Sequence, residues 1–218
     1  MSTKLVIFDM DGTVLDTLED LRASMNYALS RHGFPLRTLE EIKQRVGSGL
    51  MNTARTSVPD NTDEATIQEV FGEFKSYYAG HLNDFTRPYP GIIEVMRRIK
   101  ALGIPIGISS NKFDYGAKAL ANAHFGDLVD LTVGESELVP KKPDPTGTLR
   151  IMNTFCADSA STVYFGDSAV DIQTAKNANL ECLCVTWGFR SEAELKEAGG
   201  RKFVHAPAEI LDFIATEA

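Results

Sequence analysis

The alternation of short, branched apolar runs with helical patterns constrains the fold of this chain more than any other feature. Beyond Pro88-Tyr89-Pro90-Gly91, helical patterns separate runs that are typical of buried strands, at residues 104–108, 129–133, 162–165 and 182–185. Strands that alternate with helices are joined by right-handed crossovers and form a parallel sheet covered on both faces. The sequence therefore predicts an α/β fold with a doubly wound parallel sheet.

A helical insertion interrupts this pattern near the start of the chain. The first apolar run, Lys4-Leu5-Val6-Ile7-Phe8, is expected to be a buried strand, whereas residues 17 to about 85 carry helical patterns only. Asp20 is expected to serve the N-terminal amides of the first helix in this block. We predict an α/β core domain, residues 1–16 and 87–218, and an inserted all-helical domain, residues 17–86.

Charge and composition exclude several classes of function. The formal net charge is −8 without a Lys/Arg-rich run, and such a surface repels nucleic-acid backbones and anionic lipids. The sequence has no run of about 18 apolar residues for a membrane span, and no secretory leader pattern. Its three cysteines form no CxxC pair, which favours buried thiols in a reducing compartment. We expect a cytoplasmic monomer or homodimer that binds neither nucleic acid nor membrane.

Two carboxylates follow the first strand, at the edge of the sheet where ligands of such folds bind. Residues i and i+2 of an extended chain point to the same side, so Asp9 and Asp11 are aimed at one place. Two like charges at one place require either a shared proton or a cation. Gly12 then permits a tight turn out of the strand. The pair is therefore a candidate chemical site.

Other strand ends carry groups that suit phosphate and a metal ion. Ser110 and Asn111 could hold an oxyanion, although such residues are also ordinary in turns and caps. Lys142 could relieve repulsion among carboxylates, although a lysine before a proline is usually a surface residue. Ser168 and Asp171 fit a helix capping box, which leaves Asp167 unexplained. Carboxylates clustered on neighbouring turns need a divalent cation, and oxygen ligands favour Mg²⁺.

Taken together, these residues resemble the motifs of the haloacid dehalogenase-like hydrolase superfamily. The matches are, in chain order, Asp9-x-Asp11-Gly12-Thr13, Ser110, Lys142 and Gly166-Asp167-Ser168-x-x-Asp171. The resemblance covers the whole chain and implies a Rossmann-like core whose sheet runs 5-4-1-2-3. It also implies that residues 17–86 form a C1-type cap.

The resemblance implies a phosphatase that acts on a small-molecule phosphate ester. Asp9 would attack phosphorus and form an aspartyl-phosphate, while Asp11 would protonate the leaving alcohol and then deprotonate water. Mg²⁺ would be held by Asp9, by the Asp11 carbonyl and by Asp167, with support from Asp171. The groups that would contact the phosphoryl moiety are Thr13, Ser110, Asn111 and Lys142, and Thr13 would also help to orient Asp11.

Within the superfamily, the sequence is most similar to phosphoglycolate phosphatases. Asp11 argues against dehalogenases, which lack the second aspartate, and Leu21 argues against β-phosphoglucomutases, which carry histidine at that place. Segment 47–52 lacks the cap lysine of phosphonatases. Pyrophosphatases and sugar-phosphate phosphatases remain alternatives, and a phosphotransferase or a receiver-like phospho-acceptor is less favoured. In the cap, the predicted substrate contacts are Gly47, Ser48, Gly49 and Arg45, or Arg55 in place of Arg45, although both arginines also fit a solvated helix surface.

Overall fold

The computed structural model describes residues 2–214 of the 218-residue chain. The strands are β1 (Leu5–Phe8), β2 (Leu15–Asp16), β3 (Arg87–Pro88), β4 (Ile106–Phe113), β5 (Leu131–Glu135), β6 (Thr162–Gly166), β7 (Cys182–Val185) and β8 (Lys202–Val204). The helices are α1 (Leu18–Arg31), α2 (Leu39–Arg45), α3 (Leu50–Ser57), α4 (Glu64–Gly80), α5 (Ile92–Ala101), α6 (Asp114–Phe125), α7 (Thr146–Thr154), α8 (Ala169–Asn177) and α9 (Glu192–Glu197). Short 3₁₀ helices cover Gly126–Leu128 and Pro207–Phe213.

The chain divides into two compact units, one formed by Met1–Leu15 with Pro88–Ala218 and the other by Asp16–Arg87. Among residues 2–214, the larger unit contains a six-stranded sheet in the order β5-β4-β1-β6-β7-β8. Every neighbouring pair in this sheet is parallel. The predicted doubly wound α/β fold and the predicted strand order are therefore confirmed, with β8 added at one edge.

The central strand β1 is buried because both of its faces are covered. Each residue from Leu5 to Phe8 is completely inaccessible to solvent. Leu5 and Ile7 point to one face, where they join a cluster with Ile151 of α7 and Tyr164 of β6. Asp9 is the first charged residue after this apolar strand, so the chain carries it to the edge of the core while it is still buried.

Strand β4 is longer than predicted and shifted towards the site. The predicted strand covered 104–108, whereas β4 runs from Ile106 to Phe113, so Ser110 and Asn111 lie inside the strand and not in a turn after it. The register with β5 is irregular between Ser109 and Phe113. The apolar pattern ends at Ile108, but the main chain continues to pair with β5 beyond this irregularity.

The smaller unit is helical, as its sequence pattern predicts. Helix α1 packs along α4, and both contribute buried apolar residues, among them Met25 and Phe74. The prediction for Asp20 is wrong. Its carboxylate does not serve the amides of α1, because it accepts hydrogen bonds from the Phe85 N–H (2.9 Å), the Thr86 N–H (2.8 Å) and the Thr86 hydroxyl (2.7 Å).

Two further observations bear on the expectations from composition. Cys182 and Cys184 are buried in β7, but Cys156 is exposed after the end of α7, so the expectation of buried thiols is wrong for that residue. None of the helices found between residues 2 and 214 has the length and apolar character that crossing a membrane requires.

Candidate active site

Lys142 connects two of the predicted site carboxylates. Its Nζ lies 2.6 Å from Asp9 Oδ1 and 2.6 Å from Asp171 Oδ1, and all three side chains are buried. Burial lowers the pKa of Lys142, but the carboxylates of Asp171 and Asp9 outweigh this effect and hold that pKa well above its usual value. The side chain is therefore a fixed positive charge at neutral pH.

Asn111 fixes the main chain that carries this lysine. Its Oδ1 accepts a hydrogen bond from the Lys142 N–H at 2.5 Å, and its Nδ2 donates to the Lys142 carbonyl at 3.2 Å. Because Asn111 lies in β4, this pair of bonds ties the loop after β5 to the neighbouring strand. The sequence suggested only a phosphate contact for Asn111, and this second contact was missed.

Three buried carboxylates form a cluster at the end of β1 and β6. Asp9, Asp167 and Asp171 each offer an oxygen, and these oxygens lie within 4.8 Å of one another. Burial raises the pKa of Asp9 well above its usual value, the charge on Asp171 raises it further, and Lys142 only partly opposes this. Burial and the charge on Asp171 raise the pKa of Asp167 to about 7.

These carboxylates fit a divalent cation. The raised pKa values of Asp9 and Asp167 mean that the charge of Lys142 does not compensate the cluster. Carboxylate oxygens are the ligands that Mg²⁺ prefers, and a divalent charge among them would favour their ionised forms. The donor set therefore suits Mg²⁺ by its chemistry.

Asp167 is held in place by the segment that follows β7. The Phe189 N–H donates to Asp167 Oδ2 at 2.6 Å, and a Cβ added to Gly188 would lie 2.4 Å from Asp167 Cβ. Gly12 lies on another side, where an added Cβ would be 2.1 Å from Asp167 Oδ2, and its φ of +89° favours glycine. Both glycines are therefore required for the carboxylate to occupy this position.

The same segment also binds the turn after β1. Trp187 Nε1 donates to the Thr13 carbonyl at 3.0 Å. Thr13 itself is fully buried, and its hydroxyl oxygen has no hydrogen-bond partner among the residues that the structure describes. The sequence did not suggest the hydrogen bonds that Trp187 and Phe189 donate to these site residues.

Asp171 has protein donors on both carboxylate oxygens. The predicted capping box with Ser168 is confirmed, since Ser168 Oγ accepts from the Asp171 N–H and Asp171 Oδ2 accepts from the Ser168 N–H. Oδ1 accepts from Lys142 and from the Tyr164 hydroxyl, the latter at 3.1 Å. Tyr164 is a contact that the sequence did not suggest.

Lys112 is a site residue that the motif pattern does not include. It lies in β4 and is 3% exposed, its Nζ is 3.1 Å from Asp11 Oδ1, and its N–H donates to Ser110 Oγ at 3.1 Å. A lysine is almost never fully buried unless it has a charged partner. The position of Lys112 next to the apolar part of the strand could therefore have predicted this contact, because a buried lysine requires a carboxylate nearby.

The predicted cap residues lie in the smaller unit. Arg45 donates from Nε to the Thr56 carbonyl at 2.8 Å and from Nη1 to the Glu41 carbonyl at 2.6 Å. Arg55 makes two hydrogen bonds to Glu64, at 2.6 and 2.7 Å. Both guanidinium groups therefore bind within their own unit, and their contact with substrate stays a prediction. The glycine loop 47–49 leads into α3, with φ angles of 109° at Gly47 and 90° at Gly49.

Comparison with known proteins gives a consistent result. Residues 6–185 match the family described as haloacid dehalogenase-like hydrolase. The phosphoglycolate phosphatase of Pseudomonas syringae pv. syringae is 28% identical over 215 residues, which cover 96% of this chain and 76% of that protein. The phosphoglycolate phosphatase of Neisseria meningitidis serogroup A is 31% identical over 189 residues, which cover 84% of this chain and 80% of that protein. A crystal structure described as a "putative phosphoglycolate phosphatase" from Lactobacillus delbrueckii subsp. bulgaricus has a TM-score of 0.94 and 31% identity, with 100% of both chains covered.

Proposed function

Because this chain belongs to the haloacid dehalogenase-like hydrolase family and is a phosphatase, we propose that it cleaves a small phosphorylated metabolite through an aspartyl-phosphate on Asp9. The contact between Asp9 and the Lys142 ammonium, inside a buried acidic cluster, is the observation that carries this proposal. A buried carboxylate that pairs with a fixed cation is oriented for attack on an anionic phosphoryl group. Such a site also excludes the bulk water that would compete with substrate.

The proposed reaction has two steps. In the first, Asp9 attacks phosphorus, the bond from phosphorus to the alcohol oxygen breaks, and Asp11 gives its proton to that oxygen. In the second, Asp11 takes a proton from water, the water oxygen attacks phosphorus, and the bond to Asp9 breaks to release phosphate. Asp9 and Asp11 then return to their initial protonation states.

The remaining predicted site residues would bind the phosphoryl group. Lys142 would neutralise its charge together with that of Asp9, and Ser110 and the Asn111 amide would donate hydrogen bonds to its oxygens. The buried Thr13 hydroxyl would gain a partner in the bound state. Asp9, Asp167 and the Asp11 carbonyl would hold Mg²⁺, with Asp171 in support, and the bound ion would neutralise charge on the carboxylates and phosphoryl oxygens.

We propose phosphoglycolate as the substrate, with the smaller unit acting as the cap that selects it. The names of the two curated relatives support this substrate, which combines a phosphate ester with a carboxylate. Arg45 or the 47–49 loop would recognise that carboxylate. Pyrophosphate and sugar phosphates are the alternative substrates. The unpaired state of the three cysteines supports a cytoplasmic location for the enzyme.

Release of inorganic phosphate from a panel of phosphorylated metabolites tests the proposal. We expect the highest kcat/KM for phosphoglycolate, loss of activity with a chelator, and recovery when Mg²⁺ is returned. An isomerised sugar phosphate without free phosphate would instead indicate a mutase. A phosphoprotein that persists for many minutes, with little turnover, would indicate a phospho-acceptor.

Stability of the metal-free protein should depend on pH because Asp167 has a pKa of about 7 in the folded state. Its ordinary pKa is about 4, so between these values the folded state binds more protons than the unfolded state and the free energy of unfolding falls as pH rises. Mg²⁺ at about thirty times its Kd should then add about 2 kcal/mol, or roughly 4–8 °C in Tm. We expect a larger increase in Tm at about pH 8 than at about pH 5.5, where protons compete for the same oxygens.

Thermal melting with Mg²⁺ or chelator at both pH values measures this effect. Asp167→Asn should remove most of the Mg²⁺-dependent increase in Tm and reduce the pH dependence of the chelated protein, to which Asp9 also contributes. An equal increase at both pH values in the unmodified protein would contradict the assignment of Mg²⁺ to this cluster.

Changes in the proposed cap should alter substrate preference. Ser48→Ala and Arg45→Met are expected to change the ratio of kcat/KM between phosphoglycolate and other phosphate esters by about tenfold, since a lost specific contact affects one substrate most. Arg31→Met is a matched control, because Arg31 is an exposed arginine at the end of α1 in the same unit, where it pairs with Glu73. Equal losses on every ester tested would show that these residues do not select the substrate.

A further inference from the structure

We propose that Lys112 is a positioning residue that holds Oδ1 of the Asp11 carboxyl group, so that the proton on the other carboxyl oxygen is directed at the leaving alcohol. This inference rests on the proposed function and deepens it, because it assigns a role to a lysine outside the motif residues. The main evidence is the distance of 3.1 Å between Lys112 Nζ and Asp11 Oδ1, together with the burial of the lysine side chain, which is only 2% exposed.

The burial of Lys112 requires a compensating charge inside the protein. An ammonium group that cannot reach water is strongly unfavourable unless it is paired and hydrogen-bonded. Asp11 supplies a carboxylate at ion-pair distance, and its own side chain is 22% exposed. The lysine is therefore the more enclosed member of the pair, and it can restrain the more accessible carboxylate.

The main chains of the two residues are fixed by different elements. Lys112 lies in β4, where its N–H binds Ser110 Oγ. Asp11 lies in the turn after β1, which the Gly12 N–H closes by donating to the Leu15 carbonyl at 2.9 Å. Because both main chains are held, the ion pair restricts the remaining freedom of the Asp11 side-chain torsions.

Each catalytic carboxylate is thus paired with its own lysine. Asp9 binds Lys142, and Asp11 binds Lys112, although the two aspartates are only two residues apart. The two carboxylates therefore have different lysines as cationic partners. This arrangement fits two different tasks, attack on phosphorus by Asp9 and proton transfer at the ester oxygen by Asp11.

The dependence of the rate on the leaving group can isolate the role of Lys112. Phenyl phosphate and p-nitrophenyl phosphate have nearly the same shape and the same phosphoryl group, but p-nitrophenolate departs with little need for a proton. The parameter kcat/KM includes the steps up to departure of the leaving group. A defect in the orientation of Asp11 should therefore reduce kcat/KM for phenyl phosphate much more than for p-nitrophenyl phosphate.

The test compares Lys112→Met and Lys112→Arg with the unmodified enzyme on both esters. We expect Lys112→Met to lower kcat/KM for phenyl phosphate by about 100-fold and for p-nitrophenyl phosphate by about tenfold or less. Lys112→Arg keeps the charge and should recover part of the loss. In an Asp11→Asn background, Lys112→Met should lower kcat/KM by no more than about a further twofold, because the effects of coupled residues are not additive.

Equal losses on the two esters, or an independent further loss in the Asp11→Asn background, would overturn the positioning role. Thermal melting and the Mg²⁺-dependent increase in Tm show whether each variant is folded. If Lys112→Met does not fold, Lys112→Gln provides the same comparison of the two esters. The Asp11→Asn/Lys112→Met double variant, which removes both charges, is then compared with Asp11→Asn alone. Full activity of Asp9→Asn would instead overturn the proposed function, and this inference with it.

Discussion

Asp9→Asn is expected to lower the rate of phosphate release by at least about 10³-fold, which corresponds to roughly 4 kcal/mol in the activation barrier. The carboxamide has nearly the shape of the carboxylate, but it lacks the anionic oxygen that would form the bond to phosphorus. The loss should appear on every phosphate ester, since all of them would share the aspartyl-phosphate. It should therefore be independent of the leaving group.

Steady-state phosphate release and acid-quench trapping of the phosphoprotein measure this effect. The unmodified enzyme should show a short-lived, acid-stable phosphate on Asp9, and Asp9→Asn should show none. Asp114→Asn is a suitable control, since it removes a carboxylate that binds the exposed Lys118. If Asp9→Asn turned over substrate at the rate of the control, another residue would have to be the nucleophile.

Lys142→Met is expected to lower activity by about 10²-fold to 10³-fold and to destabilise the chelated protein by about 3–5 kcal/mol near pH 8. Methionine has a similar length, so the change removes the charge while it keeps most of the packing. Asp9 and Asp171 would then be buried without the cation that lies 2.6 Å from each of them. Loss of one member of a buried charge pair is costly because the other remains uncompensated.

The pH dependence of this destabilisation follows from the pKa values of the two partners. The pKa of Lys142 is raised above its usual value, so its contribution is complete below about pH 10 and is lost only at higher pH. Between about pH 5 and pH 8 the lysine is charged throughout, and the carboxylates determine the slope. In Lys142→Met, the pKa of Asp9, which is already raised, should rise further. Protonation of Asp9 at low pH then removes the uncompensated charge, and the loss of stability becomes smaller.

Urea unfolding in the presence of a chelator, at about pH 5.5 and about pH 8, measures this slope. The loss of stability in Lys142→Met should be larger at the higher pH. Lys118→Met removes an exposed lysine that pairs with Asp114, and it should change stability by less than about 1 kcal/mol at either pH. A loss in Lys142→Met that is the same at both pH values would contradict this account of the charge balance.

The fold was predictable from the sequence because apolar periodicity reports directly on burial. The strand predicted at 162–165 corresponds to β6, and the strand predicted at 182–185 coincides with β7. The end of strand β4 was predicted less accurately, because its last part carries polar side chains that face the site while the main chain still pairs with β5. Hydrophobic patterns detect side-chain burial and do not detect main-chain pairing.

The contacts of individual polar residues were harder to predict than the strands. Asp20 was assigned to local amides, but three donors that are 65 or 66 residues away bind its carboxylate. No role was assigned to Lys112 from the sequence, because its pairing with Asp11 depends on how two strands are placed side by side. Such contacts join residues far apart in the chain, so short-range sequence patterns do not encode them.

The hydrogen bond from Trp187 to the turn after β1 has a spectroscopic consequence. Trp187 is the only tryptophan in the sequence, and its indole N–H binds the Thr13 carbonyl, while Phe189 binds Asp167. Tryptophan emission of the protein therefore originates from one ring, which contacts the turn after the nucleophile and lies two residues before Phe189, a partner of Asp167. Rapid-mixing fluorescence could follow ligand binding at this place, without a dye or a radioactive label.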